Sequence, residues 1–160
     1  MLDTHKNIAI DIDDTLIGDG VVSHKIQNYI IKNYRNKNFY LITFRTGTWV
    51  DDVWQDIAYE NDQIDERMFK GLYGVPYEFR EGYQKYAWYA RMQFKNDPEI
   101  DDRVDELAVP AMKYLEWKGY QAHTLGCTVL VDDMTEQVER GCNKYNVKLY
   151  HPREIHNGLI

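Results

Sequence analysis

The sequence predicts an α/β domain, a Rossmann-like three-layer α/β/α sandwich around a parallel sheet. Three observations lead there. Short apolar, β-prone runs alternate along the chain with segments whose apolar residues recur at helical spacing. A strand, a helix and a second strand follow one another within residues 8–43, a βαβ unit whose strands run parallel and whose crossover is right-handed in nearly every case. Two of the apolar runs, Ile8–Ile12 and Cys127–Val131, break off into clustered carboxylates. In open α/β sheets ligands bind at the carboxyl ends of strands, so such acids belong to a site rather than to the core.

Length and composition narrow the class. A chain of 160 residues with 44% hydrophobic residues can build one domain with a real core and is too apolar for disorder. No apolar run approaches the roughly 20 residues of a membrane helix, and the start Met1–Lys6 lacks a signal-peptide hydrophobic region, which predicts a cytoplasmic protein without membrane partners. A net charge of −7 argues against a broad phosphate-backbone footprint but not against a small phosphorylated ligand, because a metal can supply local positive charge. Cys127 and Cys142 show no metal spacing and read as small packing residues, and none of the five histidines has a partner at ligand spacing.

The first strand carries the densest chemistry. Asp11 and Asp13 lie two residues apart and so project to the same side of the chain, with Asp14 and Thr15 directly after them. Carboxylates that close repel unless a cation holds them, and Mg²⁺ takes one or two carboxylates plus substrate phosphate. A calcium loop is excluded, since Leu16 stands where an EF-hand needs its turn glycine and Val22 where it needs the bidentate Glu. Turn residues Ile17–Gly20 follow, and Ser23 is the expected cap of a helix with Ile26, Ile30 and Tyr34 on one stripe. The run Phe39–Thr43 is the second strand, and it delivers the Thr43 hydroxyl to the same sheet edge as Asp11. Arg45, in the loop after it, can grip phosphate as a planar fork.

Thr48 and Asp51 approximate a capping box for a helix with Trp49, Val53 and Ile57 inward. Residues 60–108 read as a helical, aromatic-rich insertion, with one helix over Glu81–Lys95, carrying Tyr86, Tyr89 or Ala90, and Phe94 at helical spacing, and a second over Pro98–Leu107. Pro110 opens a further helix that Gly119 is expected to stop. Cys127–Val131 is the next strand and ends in Asp132-Asp133. A helix over Thr135–Tyr145 and a strand over Val147–Tyr150 complete the pattern, and the tail from His151 carries no signal.

The segment Asp11-Ile12-Asp13-Asp14-Thr15 after an apolar strand resembles the first signature of the haloacid dehalogenase (HAD) superfamily, and Asp132-Asp133 after Val131 resembles its fourth. Thr43 is similar to the second signature, a Ser or Thr closing a strand. The third is a helical Lys, for which Lys113, in an apolar neighbourhood, is favoured over Lys118 beside Gly119. The resemblance implies a HAD fold and a Mg²⁺-dependent phosphomonoesterase. In that reading Asp11 is the nucleophile, Asp13 the general acid and base, and Thr43 with Lys113 clamps the phosphoryl group. Thr15, Arg45 and Lys118 would contact phosphate or substrate, and the metal would be held among Asp11, Asp13 through its main-chain carbonyl, Asp132 and Asp133, with Asp133 the better direct or water-mediated ligand and Asp132 orienting the site or the neighbouring lysine. The short span from Thr15 to Thr43 leaves no room for a large cap, and Ile17–Val22 would form a small flap. Residues 131–139 are further similar to the end of phage polynucleotide kinase phosphatase domains, although no kinase P-loop is present. The implied substrate is a nucleoside monophosphate or a 3′-phosphorylated nucleic-acid end; the alternative is a catalytically silent HAD-fold protein that binds a nucleotide or a partner.

Overall fold

The computed structural model describes residues 1–93 and 97–158. Five parallel strands form one sheet in the order β3-β2-β1-β4-β5: β1 Asn7–Ile10, β2 Asn38–Thr43, β3 Phe69–Gly74, β4 Val129–Val131 and β5 Lys148–Tyr150. The strands are rich in Ile, Val and Leu because both faces are covered, as parallel sheets require. Side chains alternate accordingly. Ile8, Ile10, Phe39, Leu41, Val129 and Val131 join one buried cluster, and Ala9, Ile42 and Leu130 join the other.

The first cluster is closed by helix α1 (Gly20–Asn33), through Ile26 and Ile30, and by α3 (Val53–Glu60), through Val53 and Ile57. The second is closed by α5 (Pro98–Thr124), through Tyr114, Trp117 and Ala122, and by α6 (Thr135–Lys144), through Val138 and Cys142. Helix, sheet and helix therefore stack in three layers, as the alternation of strand and helix patterns predicts. No helix among the described residues is long and apolar enough to cross a membrane.

Several expectations are corrected. Residues 60–108 are not wholly an insertion, because β3 pairs with β2 as the edge of the central sheet. Its sequence Phe-Lys-Gly-Leu-Tyr-Gly lacks a sustained apolar run, since Phe69 is the one buried residue of this edge strand. The helix expected over Glu81–Lys95 is α4 (Tyr77–Met92), and Phe94 and Lys95 lie outside the described residues. The two helices expected around Pro98 and Pro110 are one, α5, which passes through Pro110 and Gly119. Pro110 is exposed, and the stripe Ala111, Tyr114, Trp117, Lys118, Ala122 buries enough surface to carry the helix past it. Gly119 is required by packing rather than termination: a Cβ there would lie 2.2 Å from the Gly141 carbonyl carbon, so α5 and α6 cross at backbone contact.

The expected capping box at Thr48 does not form. Helix α2 (Thr48–Asp51) is a single turn preceded by Gly47 at φ 54, and no side chain caps it. Ser23 lies inside α1 rather than capping it; its buried hydroxyl accepts from the Asp19 N–H and donates to the Thr15 carbonyl, each at 2.9 Å. The tail forms α7 (Pro152–Ile155), opened by a capping box at His151 that buries Ile155 in the core.

Candidate active site

Sheet register builds the site. Ile10 pairs with both Leu41 and Val131, so the residues that follow β1 and β4, Asp11 and Asp132, emerge side by side at the carboxyl edge. The ladder runs one step further, with Asp11 N–H donating to the Val131 carbonyl at 2.9 Å and Asp132 N–H to that of Tyr150 at 3.1 Å. Both carboxylates are thus held by backbone that cannot shift without breaking the sheet. Asp14, at φ 56, turns the chain back so that Thr15 faces the same edge; its hydroxyl lies 3.3 Å from Asp133 Oδ1 and accepts from the Asp133 N–H at 3.1 Å.

Lys118 is the cation at the centre. Its Nζ donates to Asp11 Oδ1 at 2.7 Å and to Asp132 Oδ2 at 2.6 Å, and the side chain is 1% exposed. Next to Lys118 in the chain, the Gly119–Gly141 contact lets α5 and α6 pack at backbone distance. Phe44 covers the ammonium, its ring centroid 4.2 Å from Nζ, and stacks on Tyr114, which stacks on Tyr83. This corrects the favoured lysine, because Lys113 is exposed and Lys118, the other candidate, makes the contacts. The physical reason is helix phase. Lys118 follows Trp117 and lies one turn after Tyr114 on the buried stripe of α5, and Lys113 lies off it.

Charge at this edge is unbalanced. Asp11, Asp132 and Asp133 each offer an oxygen within 4.8 Å of the others, and one ammonium opposes three carboxylates. Burial pushes the Asp11 carboxyl well above its ordinary value, and Lys118 pulls it back only in part. Burial and the neighbouring Asp132 likewise raise Asp133. Burial works against the Lys118 charge, but the two carboxylates outweigh it and hold the ammonium protonated far above neutral pH. A hard divalent cation on oxygen ligands fits this donor set.

Asp11 and Asp133 are the residues placed to hold such a cation. Asp132 lies in the same cluster, but its Oδ1 accepts from the Met134 N–H at 2.8 Å and its Oδ2 from Lys118, so it orients the lysine. Asp13, expected to ligate through its main-chain carbonyl, has its carboxylate outside the acidic cluster. Arg45 holds it with two parallel bonds, Nε to Oδ2 at 2.9 Å and Nη2 to Oδ1 at 2.7 Å. The third arm of Arg45, Nη1, reaches Asp56 on α3 at 2.6 Å. Arg45 is 4% exposed, and in this arrangement it grips carboxylates rather than standing free for phosphate; its bonds to Asp13 keep it firmly protonated. Thr43 is at the predicted edge, its hydroxyl accepting from the Arg45 N–H at 3.0 Å.

These residues line a cavity of about 310 Å³, which holds Asp11, Asp13, Thr43, Arg45, Lys118 and Asp133 together. Three further lining residues escaped sequence reading. Trp49, expected inward, is 43% exposed, with Arg45 and Arg80 at 5.2 and 5.0 Å from its ring centroid. Arg80, on α4, donates to the Phe44 carbonyl at 2.8 Å, and Tyr114 forms the wall beneath it. Nothing in the sequence flagged Arg80 or Asp56, because tertiary packing alone joins α3 and α4 to the loop after β2. The expected flap is not loose. Ile17 is buried, Gly18 N–H donates to Glu60 at 2.9 Å, and buried Gln27 bonds the Leu16 carbonyl at 2.8 Å. No protein-family model matches this chain, and no curated protein matches it in sequence, so the site's chemistry stands on its geometry.

Proposed function

We propose that this chain is a Mg²⁺-dependent phosphomonoesterase of the HAD type, acting on a nucleotide-sized phosphate ester. The observation that carries the reading is the buried Lys118 bridging Asp11 and Asp132 at the ends of two adjacent parallel strands, with Asp133 alongside. Bound at Asp11 and Asp133, Mg²⁺ would neutralise the excess charge and polarise the phosphoryl oxygens. Lys118 and Thr43 orient that group. The Asp11 carboxylate attacks phosphorus as the bond to the leaving oxygen breaks, and Asp13 supplies the proton that the leaving oxygen needs. Water then attacks phosphorus, the bond to Asp11 breaks, the carboxylate is restored and the water's proton passes to Asp13. For this Asp13 must release one oxygen from Arg45, and the entering phosphoryl group offers the guanidinium an alternative acceptor. The cavity sits at the low end of the ~300–1,000 Å³ of small-ligand sites, which favours a mononucleotide over a nucleic-acid chain.

The experiment is phosphate release with Mg²⁺ from 3′- and 5′-nucleoside monophosphates and 3′-phosphorylated oligonucleotides, comparing wild type with Asp11→Asn. Release by wild type that the variant loses supports the reading, and a silent wild type sinks it. One observation favours a second reading, a non-catalytic metal and nucleotide binder: both oxygens of Asp13 are taken up by Arg45. Thermal stabilisation by Mg²⁺ without turnover on any phosphomonoester would select that alternative.

A further inference from the structure

We propose that Arg80 makes this site selective for small phosphomonoesters that carry a second phosphate, with the scissile group at Asp11 and Lys118 and the second at Arg80. The inference rests on the phosphatase reading above. It starts from the cations of the cavity. Arg45 is consumed by Asp13 and Asp56, and Lys118 by Asp11 and Asp132. Arg80 lines the same cavity, yet among the described residues no carboxylate lies within ion-pair distance of it. In a chain with 26 acidic residues against 19 basic ones, an arginine left without an acid at a cavity wall stands out.

Arg80 is also held in place. One arm of its guanidinium is tied to the Phe44 carbonyl, and Trp49 lies against it at 5.0 Å from the ring centroid. These contacts fix the group while using a single hydrogen bond among its five N–H donors, which leaves a planar fork for two oxygens of an anion. Phe44 lies between Thr43 and Arg45, so the tether joins Arg80 to the loop that presents the phosphoryl-binding hydroxyl. A second anion at Arg80 would therefore lie at a set offset from the first. The cavity of about 310 Å³ has the size of a small-ligand site, which favours a second charge on the same small molecule. Asp13 and Asp14 on the walls disfavour negative charge elsewhere in the cavity. The ligand that meets these conditions is a small molecule carrying two phosphate groups, and a nucleoside bisphosphate is a probe of that class.

The test is kcat/KM with Mg²⁺ for adenosine 3′-monophosphate, 5′-monophosphate and 3′,5′-bisphosphate, in wild type, Arg80→Gln and Arg80→Lys. Wild type should prefer the bisphosphate by about tenfold or more, mainly through KM, because the remote phosphate is bound equally in ground and transition states. Arg80→Gln should bring the ratio close to one whatever happens to the absolute rates, and Arg80→Lys, keeping a point charge without the fork, should retain part of it. Equal efficiency on mono- and bisphosphates in wild type overturns the proposal. A loss in Arg80→Gln that is the same for all three substrates overturns it too, since Arg80 would then serve the scissile group or the fold. If the monophosphates are hydrolysed, the phosphatase reading survives either result; if wild type hydrolyses none of the three, both fall.

Discussion

At the residue scale the two lysines make the sharpest contrast. Removing the Lys118 ammonium leaves Asp11 and Asp132 buried without a counter-charge, and breaking a buried pair in this way costs roughly 3–5 kcal/mol. Lys118→Met should therefore lower stability by about that amount in urea unfolding and abolish turnover. Lys113→Ala, at an exposed position, should stay within about 0.5 kcal/mol of wild type and keep its activity. Asp56 acts at one remove. Among the described residues its carboxylate bonds Arg45 alone, whose other two arms hold Asp13, so if Asp13 is the acid–base residue proposed above, Asp56→Asn should loosen it and lower kcat roughly tenfold with little change in KM. An unchanged kcat would show that Arg45 holds Asp13 without help. Asp11, Asp13, Thr43, Asp132 and Asp133 were legible in the sequence because each lies at or just beyond the end of an apolar run, and strand ends are readable. Arg80 and Asp56 were not, since each is an ordinary charge on its own helix until packing gives it a partner.

At the scale of elements, the α5–α6 crossing controls where Lys118 sits. A methyl group at Gly119 would meet the Gly141 backbone at 2.2 Å, and one at Gly141 would meet the Glu116 carbonyl oxygen at 2.5 Å. Gly119→Ala should thus push the helices apart, cost about 1–3 kcal/mol as overpacking does, and lower activity by moving Lys118 off its carboxylates. Near-native stability with lost activity would also locate the effect at Lys118, whereas no change in either would mean that the crossing tolerates a Cβ. The same pair of helices is tied at the surface by Glu116, which accepts from Arg140 at 3.0 Å and Lys144 at 2.8 Å. The bond from Lys144 is the main cause that holds the Glu116 carboxyl below its ordinary value of 4.5. A carboxyl lowered in the folded state contributes its stability above its unfolded pKa and loses it as pH falls through the folded one. Glu116→Gln should accordingly cost ~0.2–1 kcal/mol near neutral pH, both basic partners being more than half exposed, and the gap to wild type should narrow as pH falls below the ordinary carboxyl value in parallel urea titrations.

At the scale of the whole molecule, a cation bound at the acidic edge would be coupled to stability. Burial and the neighbouring charge of Asp132 hold the Asp11 and Asp133 carboxyls above their ordinary values, and a divalent cation would relieve both. Mg²⁺ at a hundredfold excess over its Kd should add about 2.7 kcal/mol to unfolding, which for a chain of this size is a rise in Tm of roughly 5–10 °C. Asp133→Asn should remove most of that response, and a wild type indifferent to Mg²⁺ in a thermal melt would refute the metal assignment.

The sequence by itself determined the class of fold and the sheet edge at which the acids gather. Apolar runs of strand length, the helical periods between them and acids at their ends are local patterns, and each is imposed by the neighbouring few residues. It also narrowed the buried cation to two lysines of one helix. Tertiary structure alone decided between them, because the choice depends on the phase of α5 against the sheet and on two glycines that meet across α5 and α6. It likewise decided that β3 completes the sheet, that Gly119 packs rather than terminates, and that Arg45 faces Asp13 and Asp56 instead of open space. Those outcomes are contacts between residues far apart in the chain, and a sequence records the partners without recording that they meet.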